Sequence, residues 1–546
     1  MAQSTQTYIQ VIKEQIASRL ALEKGFEFTL EVPPGNIHAD LSTNIALILA
    51  KKNKTNPKTI AEELIAKLQG LPYFEKIEFL APGFINFHFK ISALKDEFNK
   101  ILTLKDKYPE INLSDNKPVL IDFVSSNPTG PLHIGHGRGA VIGDSLAKIY
   151  TQLGYKVLKE YYINDVGTQI DFLAESVLVQ AKIQKNEDVS SFNTEKHYKG
   201  SYIADVAKAL LEKHNNQIPE ISVIKEFAVD KIMDLIKQDL KDFNVAFDSF
   251  INESMLHKDG TVAKIIDSLN KKDMLYEKDG ALWFKSDDIE DEKDRVVKRQ
   301  DGKYTYFGAD IAYHWYKFNR GYKRLINIWG CDHHGYVPRV KSAVKALGEN
   351  PEDVDVLLYQ LVSLSRNGVR IKMSTRAGEF VTLKEVVDEI GSDAARYFMS
   401  TKTPGTHLEF DLELAKKKAT ENPIFYIQYA HTRCSGIIRE AQKTGYNVKD
   451  EITDIELFKE PIERTLIKKL LMYPDTINRC IIILSPHYLA NYLLDLAGLL
   501  HKYYDSCRVI TDDKALSQAR LDLVGAVKQV IHNGLALLSI SAPEKM

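Results

Sequence analysis

Apolar positions change their period several times along this chain. Tyr8, Val11, Ile12, Ile16 and Leu20 recur at helical spacing and predict a helix. Phe26, Phe28, Leu30 and Val32 then alternate, which predicts a strand ended by Pro33-Pro34-Gly35. A second alternation runs through Ile77 and Phe79 to the Pro82-Gly83 turn and on to Phe89. A small α+β unit over residues 1–113 is expected, closing at the polar stretch before Pro118. There the pattern changes. Val119 to Val124 is an almost continuous apolar run, as suits a parallel strand buried on both faces. A Pro/Gly-rich loop follows, then a helix from Ala140 to about Leu153 and a strand from Lys156 to Ile163. This is the opening of a doubly wound α/β fold. A similar run, Leu325 to Trp329, comes much later, so the mixed stretch 165–299 reads as an insertion between two halves of one sheet. From Lys416 onward helical spacing dominates, as in Leu489, Tyr492, Leu493, Leu496 and Leu500. The expected domains are 1–113, 114–415 and an all-α unit at 416–546.

Composition refines this only slightly. A chain of 546 residues is too long for one core. Its 44% hydrophobic and 27% charged content is that of a soluble globular protein. The net charge of -2 neither favours nor excludes a nucleic acid. The helical unit carries 18 Lys+Arg against 15 Asp+Glu from 416 to 546, a small surplus that a solvated surface also explains. Cys331, Cys434, Cys480 and Cys507 form no C-x-x-C pair, so reduced thiols in a cytoplasmic protein are expected, without a zinc knuckle or disulfide framework. The beginning MAQSTQTYIQ lacks an apolar core, and no signal peptide or membrane span is expected.

The densest chemistry lies in Ser125-Ser126-Asn127-Pro128-Thr129-Gly130-Pro131-Leu132-His133-Ile134-Gly135-His136. It sits between a buried strand and a helix, where doubly wound sheets bind ligands. A helix N-terminus offers free N–H groups to phosphate. Gly135 would let a flat purine approach the backbone, and His133 and His136 could donate to oxygens on a reacting phosphate. One loop histidine is more often structural; two in H-I-G-H after a buried strand shift the balance.

This segment resembles the first signature of class I aminoacyl-tRNA synthetases. That family carries a second, lysine-rich K-M-S-K-S loop, and Lys372-Met373-Ser374-Thr375-Arg376 stands in the matching place. The resemblance implies ATP binding by His133, Gly135, His136, Asp332, His333, Lys372, Met373 and Ser374, with His133, His136, Lys372 and Arg376 serving catalysis.

Nearly the whole chain resembles the arginyl-tRNA synthetases. The resemblance rests on SSNPTGPLHIGHGRGAVIGD, YYINDVGTQI, DEKDRVVKRQDGKYTYFGADIAYH, ENPIFYIQYAHTR and the final LALLSISAPEKM, with HADLSTNIALILAK resembling that family's N-terminal domain. An arginine site needs carboxylates facing a guanidinium. Asp122 is the odd residue in an apolar strand and needs a partner, either a bound guanidinium or a resident Arg or backbone amides. By resemblance Tyr306 and Asp310 contact the guanidinium, Ser125, Asn127 and His136 take part in arginine binding, and Asp332 adds a further contact. The run Gly330-Cys331-Asp332-His333-His334-Gly335 could suggest a metal; the resemblance places it in the ATP and amino-acid pocket, and no metal site is expected. Thr375 replaces the usual second lysine, and Gly130 stands where some members carry a compensating one, so Lys372 and Arg376 are expected to share the phosphate role.

The resemblance further implies a monomer that joins arginine to tRNA-Arg using ATP with Mg2+. Its N-terminal domain would meet the tRNA elbow through His38, Asp40 and Asn44, although a helix cap near Asp40 or Ser42 is the plainer reading. Tyr426, Gln428, Tyr429, His431 and Arg433 would read unstacked anticodon bases, or part of them would be helix core. Three rivals stand beside this reading: another class I synthetase, a small nucleotidyltransferase with an H-x-G-H loop, and a tRNA-binding paralogue without activity. The first would not explain Asp122, Asp310 and the C-terminus together, and the second lacks a large helical domain.

Overall fold

The structure, a computed structural model, describes residues 5–33, 37–193, 195–286, 293–371 and 381–546. Its centre is a five-stranded parallel sheet. In chain order the strands are Val119–Phe123, Val157–Ile163, Ser249–Asn252, Arg324–Gly330 and Val354–Tyr359. In space they lie third, second, first, fourth, fifth. The first and fourth strands are parallel neighbours whose crossovers run in opposite directions. Ligands bind beyond the carboxyl ends of such strands.

One expectation is corrected here. Residues 165–299 are not an insertion between halves of the sheet, because Ser249–Asn252 is its third strand, parallel to Val157–Ile163. Helices Thr168–Gln184, Ser201–Lys213 and Ile221–Asp242 form the crossover to it. What projects is the following segment, with a three-stranded sheet of Leu275–Lys278, Ala281–Phe284 and Arg295–Lys298. Four residues, Ser-Phe-Ile-Asn, are too few to show a period.

The helix after the first strand also begins earlier than its apolar pattern indicates. It spans Ile134–Gln152, so the H-I-G-H tetrapeptide forms its first turn. Arg138 is buried in this helix, donating to the carbonyls of Gln360, Thr403 and Thr406 at 2.7–2.9 Å. Those bonds tie the helix to the loops beyond the fifth strand.

The N-terminal unit packs helices Tyr8–Arg19, Ile45–Asn53 and Pro57–Leu68 with a four-stranded antiparallel sheet. Of the strand expected from Phe26 to Val32, only Leu30–Glu31 pairs. The C-terminal unit is helical, with Pro423–Lys443, Pro461–Leu471, Tyr473–Ile482, His487–Ser506 and Lys514–Leu537. Its last helix holds the linker before the sheet: Asn533 Nδ2 donates to Lys105 O and Tyr108 O at 2.9 and 3.0 Å. The largest of three apolar clusters runs through all three units.

Candidate active site

A cavity of about 740 Å³ opens at the carboxyl ends of the first and fourth strands. Its floor begins with a strained turn. Val124 and Ser125 have φ of 66° and 39°, a region that costs a β-branched residue of order 1–3 kcal/mol. The turn is held from several sides. Ser125 Oγ donates to Asp122 Oδ1 at 2.6 Å and accepts the Tyr162 amide at 3.0 Å.

Asp122 has a partner inside the chain. Lys317 Nζ lies 2.7 Å from Asp122 Oδ2, and both groups are buried. Of the alternatives left open by the sequence, a resident group is present, and it is a lysine rather than an arginine or backbone amides. Lys317 also donates to Asn327 Oδ1 at 2.9 Å and lies over the Tyr313 ring. Asp122 still lines the cavity.

The two signature histidines come together at the helix start. His133 is the N-cap; its Nδ1 accepts the amides of Gly135 and His136 at 3.1 and 3.4 Å. His136 Nδ1 accepts the His133 amide at 3.3 Å. With both Nδ1 atoms accepting, each ring carries its proton on Nε2. Burial lowers both pKa values, that of His136 to about 3 with a further contribution from His133. The pair is two neutral donors. Gly135 is required sterically, since a Cβ there would lie 2.9 Å from the His133 ring.

Tyr306 and Asp310 stand one turn apart on helix Tyr306–Asn319, and both line the cavity. Tyr336 hydrogen-bonds the Asp310 carboxylate. Behind it, His314 Nδ1 donates to the Asp310 carbonyl at 2.9 Å, and its Nε2 accepts from Asn327 at 3.1 Å. Asn127 donates to Gln169 at 2.6 Å on the opposite wall. Asp332 and His333 sit exposed at the mouth, on the turn Cys331–Tyr336.

Sequence reading missed several wall residues, Glu253 among them. Glu253, 4% exposed, accepts the Tyr162 hydroxyl at 2.9 Å and faces the same cavity. The cavity thus has four carboxylates, Asp122, Glu253, Asp310 and Asp332, and among the described residues no lysine or arginine lines it. Lys372, Met373, Ser374 and Arg376 lie outside the described residues. At Gly130 the space for a side chain is taken: a Cβ would lie 2.9 Å from the Tyr202 hydroxyl, which donates to Thr129 O.

Residues 97–433 match the family described as class I (R) tRNA synthetases, catalytic domain. Residues 6–89 match the arginyl tRNA synthetase N terminal domain, and 427–546 the DALR anticodon binding domain. The arginine–tRNA ligase of Desulfosudis oleivorans is 43% identical over 97% of this chain and 98% of its own length. The chain belongs to the arginyl-tRNA synthetase family. Another relative, the arginine–tRNA ligase of Carboxydothermus hydrogenoformans, is 42% identical over 97% of this chain and 96% of its own. The solved arginyl-tRNA synthetase of Thermus thermophilus shares the fold, with TM-score 0.79 and 23% identity over 99% of this chain and 100% of that one.

Several residues that the synthetase resemblance assigned to tRNA make contacts within the chain. Asp40 pairs with Lys468 at 2.7 Å and accepts the Phe89 amide at 2.8 Å, which joins the N-terminal and helical domains. Asn44 Oδ1 accepts the Thr29 amide at 2.9 Å, and Asn44 itself precedes helix Ile45–Asn53 as its N-cap. Gln428 is bound to Asp393 and Ser541 at 2.9–3.2 Å. His431 is buried; its Nδ1 holds the Pro543 carbonyl at 2.9 Å and its Nε2 has no partner among the described residues. All four side chains thus make contacts within the chain. His38 is exposed on a cleft of about 890 Å³ between the two domains. Arg433 lies over the rings of Tyr429 and Tyr504 at 4.8 and 4.2 Å, and Tyr426 packs on His501.

Proposed function

We propose that this synthetase activates arginine in the cavity described and transfers it to tRNA-Arg. The observation that carries the reading is the charge of the wall: four carboxylates and no lining lysine or arginine among the described residues. A guanidinium is the planar cation that such carboxylates recognise through paired hydrogen bonds. It docks against Asp310 and Glu253, with Tyr306 at the rim. Asn127 and Ser125 hold the amino and carboxylate end. Asp122, already neutralised by Lys317, fixes the floor.

ATP lies along the start of the signature helix, its purine over Gly135 and its α-phosphate toward His133 and His136, with Asp332 and His333 at the mouth. The arginine carboxylate attacks the α-phosphorus, and the bond to pyrophosphate breaks. A terminal ribose hydroxyl of tRNA then attacks the activated carbonyl, its proton departs, and AMP leaves. Charge builds on phosphate oxygens as the first bond forms, and two neutral Nε2 donors stabilise it without titrating. Positioning replaces a side-chain nucleophile. Lys372 and Arg376 share the charge of the departing pyrophosphate. Magnesium would come with the ATP phosphates and would screen their charge there.

The tRNA lies along the helical domain near Arg433, Tyr429 and Tyr426 and reaches His38 on the N-terminal domain. A monomer in the cytoplasm completes the reading; the four cysteines are unpaired, as a reducing compartment keeps them. Among the described residues no helix is long and apolar enough to cross a membrane. Amino-acid-dependent exchange between ATP and pyrophosphate, run with tRNA-Arg present, tests the proposal. Arginine alone among the common amino acids should support it; exchange with another amino acid instead would overturn the assignment.

A further inference from the structure

The sequence YYINDVGTQI runs along one wall of the cavity and has no part in the reaction as described. It leaves the second strand at its carboxyl end and enters helix Thr168–Gln184. Asp165, within it, is not in the cavity wall, although its neighbours Tyr162, Asn164 and Gln169 are. Its carboxylate is used elsewhere. Oδ1 accepts the Ser254 amide at 2.8 Å; Oδ2 accepts the Ser254 hydroxyl at 2.6 Å and Asn252 Nδ2 at 2.9 Å. These partners flank Glu253 on both sides. They fix the point where strand Ser249–Asn252 turns into helix Glu253–Lys258.

The same segment reaches Glu253 directly. Tyr162 donates its hydroxyl to Oε2 at 2.9 Å, and Asn164, with its amide turned to satisfy its neighbours, donates to the same atom at 3.3 Å. Gly167, at φ 92°, has room for the Tyr306 hydroxyl, which would lie 2.7 Å from a Cβ. Glutamate is a flexible side chain, and binding through it normally costs rotamer freedom. Here the backbone on both sides and one carboxylate oxygen are fixed before any substrate arrives, which lowers that cost.

We propose that Asp165 is a positioning residue: by holding Asn252 and Ser254 it sets the Glu253 carboxylate where the substrate guanidinium docks. The proposal rests on the reading of the cavity given above. Asp165 acts through Glu253 and does not touch substrate. Its loss therefore weakens arginine binding, leaves ATP binding in place, and matters only while Glu253 can accept the guanidinium.

Charging of tRNA-Arg by the full-length enzyme, with KM for arginine and ATP measured separately, tests this in a double-mutant cycle. Asp165→Ala is expected to raise the arginine KM roughly 10-fold with the ATP KM unmoved, and Asp165→Asn or Asn252→Ala, which remove fewer bonds, less. Glu253→Gln is expected to raise the arginine KM on its own, and adding Asp165→Ala to it should change little more. An arginine KM untouched by Glu253→Gln overturns the carboxylate reading of the cavity, and this proposal with it. An effective Glu253→Gln on which Asp165→Ala acts with its full factor, or an Asp165→Ala that raises both KM values alike, overturns the proposal alone. If Asp165→Ala does not fold, the Asp165→Asn and Asn252→Ala arms decide by the same comparison.

Discussion

His133 and His136 stack face to face, with ring centroids 3.7 Å apart and planes within 20° of parallel. Each ring gives its Nδ1 to a backbone amide of the same helical turn. The stack is therefore locked in one tautomer, with both ring protons on Nε2. Burial disfavours the charged form of both rings, and at His136 the neighbouring His133 adds to it, so both pKa values fall.

This fixes a pH dependence of stability. An unfolded histidine titrates near 6.5, and native His136 near 3. Between those values the unfolded state binds a proton that the native state refuses, so stability falls as pH drops below 6.5. The slope is about 1.4 kcal/mol per pH unit for one such group. His136→Asn should flatten the Tm curve below that pH and leave it unchanged above, while slowing adenylate formation by about 10²–10³-fold. Thermal melts from acid to neutral pH check this; identical acid slopes for both proteins would contradict it.

Asp475 behaves in the opposite sense. Burial raises its pKa from 3.8 to about 6, one oxygen is without a partner, and the other accepts the Thr7 hydroxyl. The native state thus holds the proton more tightly, and its relative advantage is lost as pH rises through about 6. Asp475→Asn removes the charge and keeps the Thr7 bond. It should stabilise the protein above that pH by on the order of 1–3 kcal/mol and have no such effect in acid, measured by denaturant titration at both pH values.

Lys317 and Asp122 are a buried ion pair, and removing one member leaves an uncompensated charge. Lys317→Met should cost about 3–5 kcal/mol, and adding Asp122→Asn should recover part of it. Shifts in urea midpoint at constant m-value report both steps. A Lys317→Met protein as stable as the parent would mean that another group neutralises Asp122.

Lys372 and Arg376 are the cationic residues of the segment where the family's second signature stands, with Thr375 between them. Alanine at either is expected to slow adenylate formation in single-turnover assays while leaving arginine affinity unchanged. Parent rates in both variants would end the idea that they share the pyrophosphate charge.

The parts of this site that were legible in the sequence are local ones. H-I-G-H forms a single helical turn, and Tyr306 and Asp310 share one helix face, so spacing alone brings each set together. Glu253 was illegible because it follows a strand of four residues and opens a helix of six, both too short to show a period. Lys317 was not singled out from the sequence, lysine being a residue type seldom fully buried. Its signal was there in the spacing of Tyr306, Asp310, Tyr313 and Lys317, which steps by four, three and four along the face that meets the sheet. The internal contacts of Asp40, Gln428 and His431 had no local signal, because their partners Lys468, Asp393 and Pro543 are distant in sequence.

The most direct test is charging of tRNA-Arg transcript with arginine by the parent chain and by Asp310→Ala, with ATP binding measured in parallel. The account predicts charging by the parent and its loss in the variant with ATP affinity kept. A parent that binds tRNA without charging it, or a variant that charges arginine as the parent does, would contradict the account.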